Sequence, residues 1–590
     1  MTSERAFRIL LAALAVGFVV AGVALAVGVG GARDRPDARQ PTAEPDFGPN
    51  VTILDPSMTS DQIQSAVDSV FDAQETNQFG ERRDAILLKP GSYDATIDVG
   101  FYTSVLGLGL SPDDVTVTGQ VRVDAGWFDG NATQNFWRSV ENLAIAPSEG
   151  VNRWAVAQAA PMRRVHVRGA LDLYPSGSGW ASGGYIADSK IDGLVASGSQ
   201  QQWFSRDSEF GSWEGASWNM VFSGVAGAPQ QSFPDPPFTV LESTPASREK
   251  PFLYVDGDGG YRVFLPALRR DASGASWTGG ETPGDSLGID SFFVARPSDT
   301  AAEINAALAR GLNLLLTPGV YRLDETIAIE RADTVVLGIG LPTLIPEGGV
   351  DGMTVDDVDG VRLAGFLIDA GAENSDVLLR VGGEGADARH DSNPTTIQDV
   401  FFRIGGAGPG RAATSLVIDS ADVIVDHIWA WRADHGEGVG WNTNTADTGV
   451  IVNGANVVAT GLFVEHYQRH QLVWNGENGR TVFFQNEMPY DPPDQDAWRN
   501  EGEEGYAAYK VAADVARHEL WGGGSYCFFN VNPSVRAARG FEAPDAPGIR
   551  FHGVLTVSLG GNGSIVNVVN SMGTTVGSEF TGPSSVAVYP

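Results

Sequence analysis

Glu465 and Glu487 stand 22 residues apart, each closing a short apolar string, Leu462-Phe463-Val464 and Val482-Phe483-Phe484-Gln485. Gln158 and Ser182 stand 24 apart in the first half of the chain. If the backbone coils with a repeat near these spacings, each pair projects from neighbouring rungs, ~4.8 Å apart along the ladder. Stacked carboxyls raise each other's proton affinity, which suits one of them to act as a general acid near neutral pH. Glycosidic cleavage needs such an acid at the leaving oxygen. Trp429-Ala430-Trp431 puts two indoles on one strand face, and Asp434, His435, His466, Tyr467, His470 and Trp474 follow. Aromatic faces stack on pyranose rings, while carboxylates and imidazoles bond hydroxyls. Alternatives stay open at this level: aromatics on strands are usually core, and two glutamates serve as well on a solvated surface.

The elements that carry these residues come from a duplication. Thr52-Ile53-Leu54-Asp55-Pro56-Ser57 recurs as Phe293-Val294-Ala295-Arg296-Pro297-Ser298, and Leu87-Leu88-Lys89-Pro90-Gly91 as Leu315-Leu316-Thr317-Pro318-Gly319. Val105-Leu106-Gly107-Leu108-Gly109-Leu110 recurs as Val336-Leu337-Gly338-Ile339-Gly340-Leu341. The first copy is longer just after its opening, around Gln74 to Asp84. Each copy opens on a capped helix: Thr59 and Gln62, then Thr300 and Glu303, have capping-box spacing, and Gly311 supplies a stop. Short strands follow, separated by Gly, Asn and Asp. Ile145, Val167, Ile191 and Phe210 mark them in the first half at intervals of 22, 24 and 19 residues. A recurrence of roughly 20 to 35 residues is the signature of a solenoid. A β-propeller needs longer, hairpin-rich repeats. The expected fold is therefore all-β, with two tandem right-handed parallel β-helices packed side by side.

The expected organisation is 1–48 as leader and linker, 49–224 as the first β-helix, 225–290 as an inter-domain segment and 291–590 as the second β-helix. Arg5 and Arg8 precede an uncharged apolar run from Ile9 to Ala32, which reads as a cleaved secretory signal or a retained membrane anchor. Pro36 to Pro49 reads as a linker. Either way the expected location is extracellular or on the outer face of the membrane. In the inter-domain segment, Leu253 to Val263 reads as a hairpin. Its Asp256-Gly257-Asp258-Gly259 string is a tight turn, because the twelfth position of a calcium loop would be Ala267.

Composition narrows the partners. With 39 basic and 73 acidic residues the formal charge is −34, which repels nucleic acid, anionic membranes and polyuronates. A neutral polysaccharide is compatible with it. Cys527 is the only cysteine, so no internal disulfide and no CxxC site exists. No HExxH string is present, Gly107-Leu108-Gly109 lacks the glycine and helix of a dinucleotide site, and the acidic stretch Asp491 to Glu504 reads as a solvated loop. No metal or cofactor is expected, and the chain is expected to work as a monomer. A polysaccharide lyase would need Lys or Arg to hold uronates, yet the chain has four lysines (Lys89, Lys190, Lys250, Lys510) and no Arg cluster beside the glutamates. A non-catalytic carbohydrate-binding solenoid would use the same aromatics without an acid.

The strings Trp474-Asn475-Gly476-Glu477-Asn478-Gly479-Arg480-Thr481, Phe484-Gln485-Asn486-Glu487-Met488-Pro489-Tyr490-Asp491-Pro492-Pro493 and Trp429-Ala430-Trp431-Arg432-Ala433-Asp434-His435 resemble bacterial members of glycoside hydrolase family 55. The resemblance extends over nearly all of the chain after about residue 48. It implies an exo-acting β-1,3-glucanase of laminarinase type that inverts anomeric configuration, with the cleft between two β-helices. It implies Glu487 as general acid with Tyr490 beside it, Gln158 and Ser182 holding the attacking water, and Glu465 in the proton relay at that water. Trp431 and Asp434 would contact the terminal glucose. One tension stands: simple stacking holds two glutamates near the short separation of retaining enzymes, whereas inversion needs roughly 6.5–9.5 Å between carboxyls.

Overall fold

The computed structural model describes residues 44–177 and 179–590. Among these residues the strands form two parallel ladders. The first runs through Val51–Leu54, Asp84–Leu88, Thr103–Gly107, Arg138–Ala146, Met162–Val167, Tyr185–Ala187, Gln202–Arg206, Asn219–Ser223 and Phe238–Leu241 within a 15-stranded sheet. The second is a 13-stranded sheet that includes Arg362–Asp369, Thr396–Ile404, Ile424–Arg432, Val458–Glu465, Gly479–Glu487 and His518–Cys527. A 9-stranded parallel sheet, from Ile327–Ile329 to Ser564–Val569, forms the other wall of that solenoid.

Both opening helices form as the capping boxes require. Thr59 caps Ser60–Gln74 and Thr300 caps Ala301–Ala309, each with its reciprocal Gln62 or Glu303 bond. Ile63, Val67 and Val70 bury one face of the first helix, and Ile304 and Leu308 one face of the second. Gly311, at φ +90°, leaves the second helix by a left-handed turn.

Alternation along the strands decides what lies where. Val400, Phe402, Ile428, Ala430, Leu462, Val464 and Phe484 point into the second solenoid. Phe401, Trp429, Trp431, Phe463 and Phe483 join Phe136, Trp137, Tyr185 and Phe204 of the first solenoid in a separate apolar cluster. The strands therefore read as continuous hydrophobic runs because both their faces are covered. Aromatic contacts fill the seam, with Trp429 at 4.6 Å from Phe136 and from Trp137, each such pair adding about 0.5–1.5 kcal/mol beyond its area.

A buried ion network locks the register of one solenoid on the other. Arg163 donates to Asp399 and Asp426, Arg206 donates to Asp426 and Glu249, and Tyr185 and Thr460 also donate to Asp426. Burial alone would raise the Asp426 carboxyl, but Arg206 and Arg163 outweigh it and hold the group well below the usual carboxylate range.

The segment between the solenoids differs in detail from its expectation as 225–290. Phe238–Leu241 pairs in parallel with Asn219–Ser223, so the first ladder continues one rung past 224. Two small antiparallel sheets follow, Thr244–Arg248 with Leu268–Ala272, and Phe252–Val255 with Tyr261–Pro266 and Gly284–Gly288. The Asp256 carboxylate closes the expected tight turn by accepting from the Asp258 and Gly260 amides. The end of the proposed linker is docked: Phe47 is buried against Tyr261, and Glu44 accepts from the Tyr261 hydroxyl. The apolar run from Ile9 to Ala32 lies outside the described residues. Among the described residues no helix is long and apolar enough to cross a membrane.

Candidate active site

Three strand ends converge where the solenoids meet. Trp431 pairs in register with Glu465 on the next rung, and Phe463 with Gln485 on the rung after, so Glu465 and Glu487 occupy successive outward positions at the same edge. Leu462 and Val464 alternate into the core and leave Phe463 and Glu465 facing the first solenoid. His466, at φ +67°, then turns the chain away, and its amide donates to the Glu487 carbonyl at 2.8 Å.

The opposite wall comes from the first solenoid. Gln158, Ser182, Thr133, Phe136 and Gln201 face the glutamates across a cavity of about 200 Å³. Trp429, Trp431, Asp434, His435, His466 and Tyr490 complete it. The amide of Gln158 donates to Glu465 Oε1 at 2.9 Å, and the Ser182 hydroxyl donates to Gln158 Oε1 at 3.1 Å. The two residues thus stand on adjacent rungs, as their 24-residue spacing predicts. Trp429 Nε1 donates to Glu465 Oε2 at 2.8 Å. On the other carboxyl, the Tyr490 hydroxyl donates to Glu487 Oε2. Arg432 holds Asp491 through paired bonds of 2.9 and 2.8 Å and so fixes the turn that carries Tyr490. Asp491 is therefore a structural anchor, which corrects its expectation as part of a solvated loop.

Protonation follows from these contacts. Burial pushes both glutamates up, and the Glu487 charge pushes Glu465 up further. His466 and the Tyr490 bond pull partly against burial at Glu487. Two like charges on adjacent rungs favour one shared proton, which the pair holds as a unit. Hydrogen bonding favours the ionised form at both, through two N–H donors at Glu465 and one hydroxyl at Glu487. Both Glu465 oxygens accept N–H donors, and indole and amide N–H groups satisfy a carboxylate rather than an acid. Asp434 behaves oppositely: burial would raise it, but the His435 bond and the nearby His466 and His435 imidazoles hold it at about 2. It remains an anion able to accept hydroxyls. Among the described residues, no cluster of His, Cys, Asp and Glu is arranged to hold a metal.

The structure brings together Glu487, Glu465, Gln158, Ser182, Tyr490, Trp431, Trp429, Asp434 and His435. It does not bring Tyr467. That side chain points into the second solenoid, fully buried, with its hydroxyl paired to Ser415 at 2.5 Å. Alternation explains the correction: Tyr467 lies beyond the His466 turn, on the inward side. His470 and Trp474 are likewise buried off the cavity. The indoles Trp429 and Trp431 stack at 4.9 Å and are almost wholly buried, so they are interface core and pocket lining at once. Sequence reasoning missed Phe136, Gln201 and Thr133, which carry no recognisable spacing.

Comparison with known proteins decides the lineage. Residues 292–487 match the LAM55 pectate lyase-like domain. The chain is 60% identical over 546 residues to an exo-beta-1,3-glucanase of Streptomyces sp. (strain SirexAA-E / ActE), covering 92% of this chain and 90% of that protein. The chain belongs to glycoside hydrolase family 55. The solved structure of sacteLam55A from the same organism superposes with a TM-score of 0.91 at 60% identity, covering 92% of this chain and 99% of that one. A glutamate-to-alanine variant of sacteLam55A in complex with glucose also matches at a TM-score of 0.91 and 59% identity, covering 94% of this chain and 100% of that one. Family 55 membership thus agrees with the parallel β-helix fold.

Proposed function

We propose that this protein is an exo-β-1,3-glucanase that hydrolyses laminarin-type glucan from the chain end with inversion. The observation that carries the reading is the glutamate pair in an aromatic pocket, Glu465 buried and Glu487 part-buried, with Gln158 and Ser182 opposite. Its 60% identity to an exo-beta-1,3-glucanase supplies the bond and substrate class. The terminal glucose stacks on the Trp431 edge and gives hydroxyl bonds to ionised Asp434. Glu487 donates its proton to the glycosidic oxygen as the C1–O bond breaks. Water held by Ser182 and Gln158 attacks C1 from the opposite face, and its proton passes to the Glu465 carboxylate. Each carboxyl has its own partners, Gln158 and Trp429 for Glu465 and Tyr490 for Glu487, which lets the two take the separate roles of base and acid.

The apolar Ile9 to Ala32 run supports export, as a secreted or membrane-tethered enzyme, and the continuous inter-solenoid core supports a monomer. Cell fractionation and light scattering test these two points. The activity test is reducing-sugar release from laminarin. Wild type is expected to release sugar, and Glu487→Gln to lose about 10²–10⁴-fold with an unchanged thermal transition. Equal turnover by the variant removes Glu487 from the acid role. An ultraviolet-absorbing unsaturated product would instead mark a lyase, although no Lys or Arg lines the cavity.

A further inference from the structure

The strands that end at the catalytic cavity begin at another groove. Ile424, Val458, Arg480, Glu519 and Arg550 stand in register on successive strands, at the far edge of the same sheet. Their neighbours Val425, Ala459, Leu520 and Phe551 point into the solenoid core, so this column faces outward. Arg480 and Glu487 share one strand, seven residues or roughly 23 Å apart at ~3.3 Å per residue. The facing wall is the small antiparallel sheet of the inter-solenoid segment, through Ala246, Leu268 and Arg270. The groove between them has a volume of about 800 Å³.

Its chemistry is unlike that of the catalytic cavity. Among the described residues no Trp, Tyr or Phe lines it, whereas Phe136, Trp429, Trp431 and Tyr490 line the other. Four arginines do line it: Arg270, Arg480, Arg517 and Arg550. Two of the lining carboxylates are already taken, Glu519 by Arg480 and Asp422 by Arg389, each at 2.8 Å. Among the described residues Arg270, Arg517 and Arg550 pair with no carboxylate. Arg270 donates to the Asp391 carbonyl and Arg550 to the Ile549 carbonyl, both neutral acceptors. Asp391 is the lining carboxylate left over, so the unpaired groups are three cations against one anion. Arg248, buried behind Pro394, adds to the positive side. It donates at 3.0 Å to the Pro394 carbonyl and at 3.0 Å to the Asn393 side chain, again without a carboxylate. In a chain of charge −34 this is a local reversal of sign, and the concave wall focuses it.

The lining is also arranged in detail. Arg517 lies over Gly548, where a Cβ would stand 3.0 Å from the arginine Cγ and 2.2 Å from the Ala516 carbonyl oxygen. Along the rim Asn478 donates to Asn456 at 2.9 Å, a stacked pair of amides that offers donors and acceptors to hydroxyl groups.

We propose that this groove binds a phosphorylated sugar or polyol, its phosphate on Arg517, Arg550 and Arg270 and its hydroxyls on Asn456, Asn478 and Asp391. Guanidinium forks bond phosphate oxygens in pairs, and a tetrahedral phosphate accepts forks from several directions where a planar carboxylate does not. The three arginines come from three places: the strand Leu268–Ala272, the turn before His518–Cys527, and the strand Ile549–Ser558. A neutral glucan finds no ring to stack on here. The acidic remainder of the surface repels anions at long range, but screening confines that field to ~8 Å at physiological salt, so a ligand at the groove meets the local charge. The proposal goes beyond the glucanase reading and does not depend on it.

Calorimetric titration of the full chain with glycerol 3-phosphate, with poly(glycerol phosphate) and with inorganic phosphate tests this, alongside the double variant Arg517→Ala/Arg550→Ala. Wild type is expected to bind both phosphorylated ligands, and the double variant to bind them at least about tenfold more weakly. Both replaced side chains reach solvent, so laminarin hydrolysis and the thermal transition of the variant should match wild type. An affinity per chain for the polymer at least about tenfold above that for the monomer assigns the groove to a phosphodiester polymer. Equal affinity assigns it to a single phosphorylated ligand, and either result supports the site. The proposal is overturned if wild type binds neither ligand, if the variant binds them undiminished, or if inorganic phosphate binds as tightly as glycerol 3-phosphate.

Discussion

Replacing Tyr490 by Phe probes how the proton is held. The substitution keeps the ring, which lies 4.3 Å from His466 and 5.1 Å from Phe528, and removes only the hydroxyl that donates to Glu487. That bond stabilises the ionised form of Glu487, so its loss raises the Glu487 pKa above a value already pushed up by burial. A hydrogen bond to a charged group contributes about 1.5–3 kcal/mol, and one pH unit corresponds to about 1.4 kcal/mol, so the rise is about 1–2 units. The sign follows from the role. A general acid must carry its proton, so activity falls as pH rises through its pKa. The alkaline limb of the pH profile should therefore move upward by about 1–2 units, with the acid limb displaced much less. The assay is kcat/KM on laminarin across pH for wild type and Tyr490→Phe, since that ratio reports the free enzyme. An alkaline limb that stays in place or moves down refutes the assignment of the proton to Glu487.

Four other outcomes are expected. Trp429→Phe removes the indole donor from Glu465, which must be ionised to receive the water's proton, so the acid limb should rise by about 1–2 units in the same kcat/KM measurement. Asp426→Ala removes the carboxylate that Arg163 and Arg206 share, leaving Arg163 only Asp399 and Arg206 only Asp207 and Glu249, and should cost about 3–5 kcal/mol, read as a lowered unfolding midpoint. Because the Asp426 pKa is depressed in the folded chain, its stabilisation should be present above the unfolded carboxylate value and lost as pH falls through the folded one. Tyr467→Phe should keep laminarin activity within about twofold, with a loss of about 1 kcal/mol in stability for the Ser415 bond.

Much of this architecture is legible in the chain because a solenoid repeats local rules. The 22-residue spacing of Glu465 and Glu487 and the 24-residue spacing of Gln158 and Ser182 are coil lengths, and coil length alone puts such residues on adjacent rungs. Trp429-Ala430-Trp431 shows which side faces outward, since alternation over one strand needs no tertiary information. The same rule fails past a turn. His466 adopts a left-handed conformation that no residue type at that position announces, so Tyr467 falls on the inward side despite its company of polar and aromatic neighbours. Long-range pairings are equally silent. Arg163 meets Asp399 and Asp426 across 236 and 263 residues of chain, and nothing in the spacing of a repeat specifies how one repeat array docks on another. The insertion around Gln74 to Asp84 lies between these cases: its presence shows in the mismatch of two copies, while the stacking of its Phe79 ring on Trp431 emerges only when the copies are packed together.

The mechanism requires an acid on one solenoid and a water held from the other, on opposite faces of the same sugar. Proton NMR of the first sugar released from laminarin tests this most directly, read before mutarotation equilibrates the anomers. The α-anomer should appear first and the β-anomer only later. Initial release of the β-anomer would mean a covalent or same-face pathway, and would contradict the assignment of water to Gln158 and Ser182.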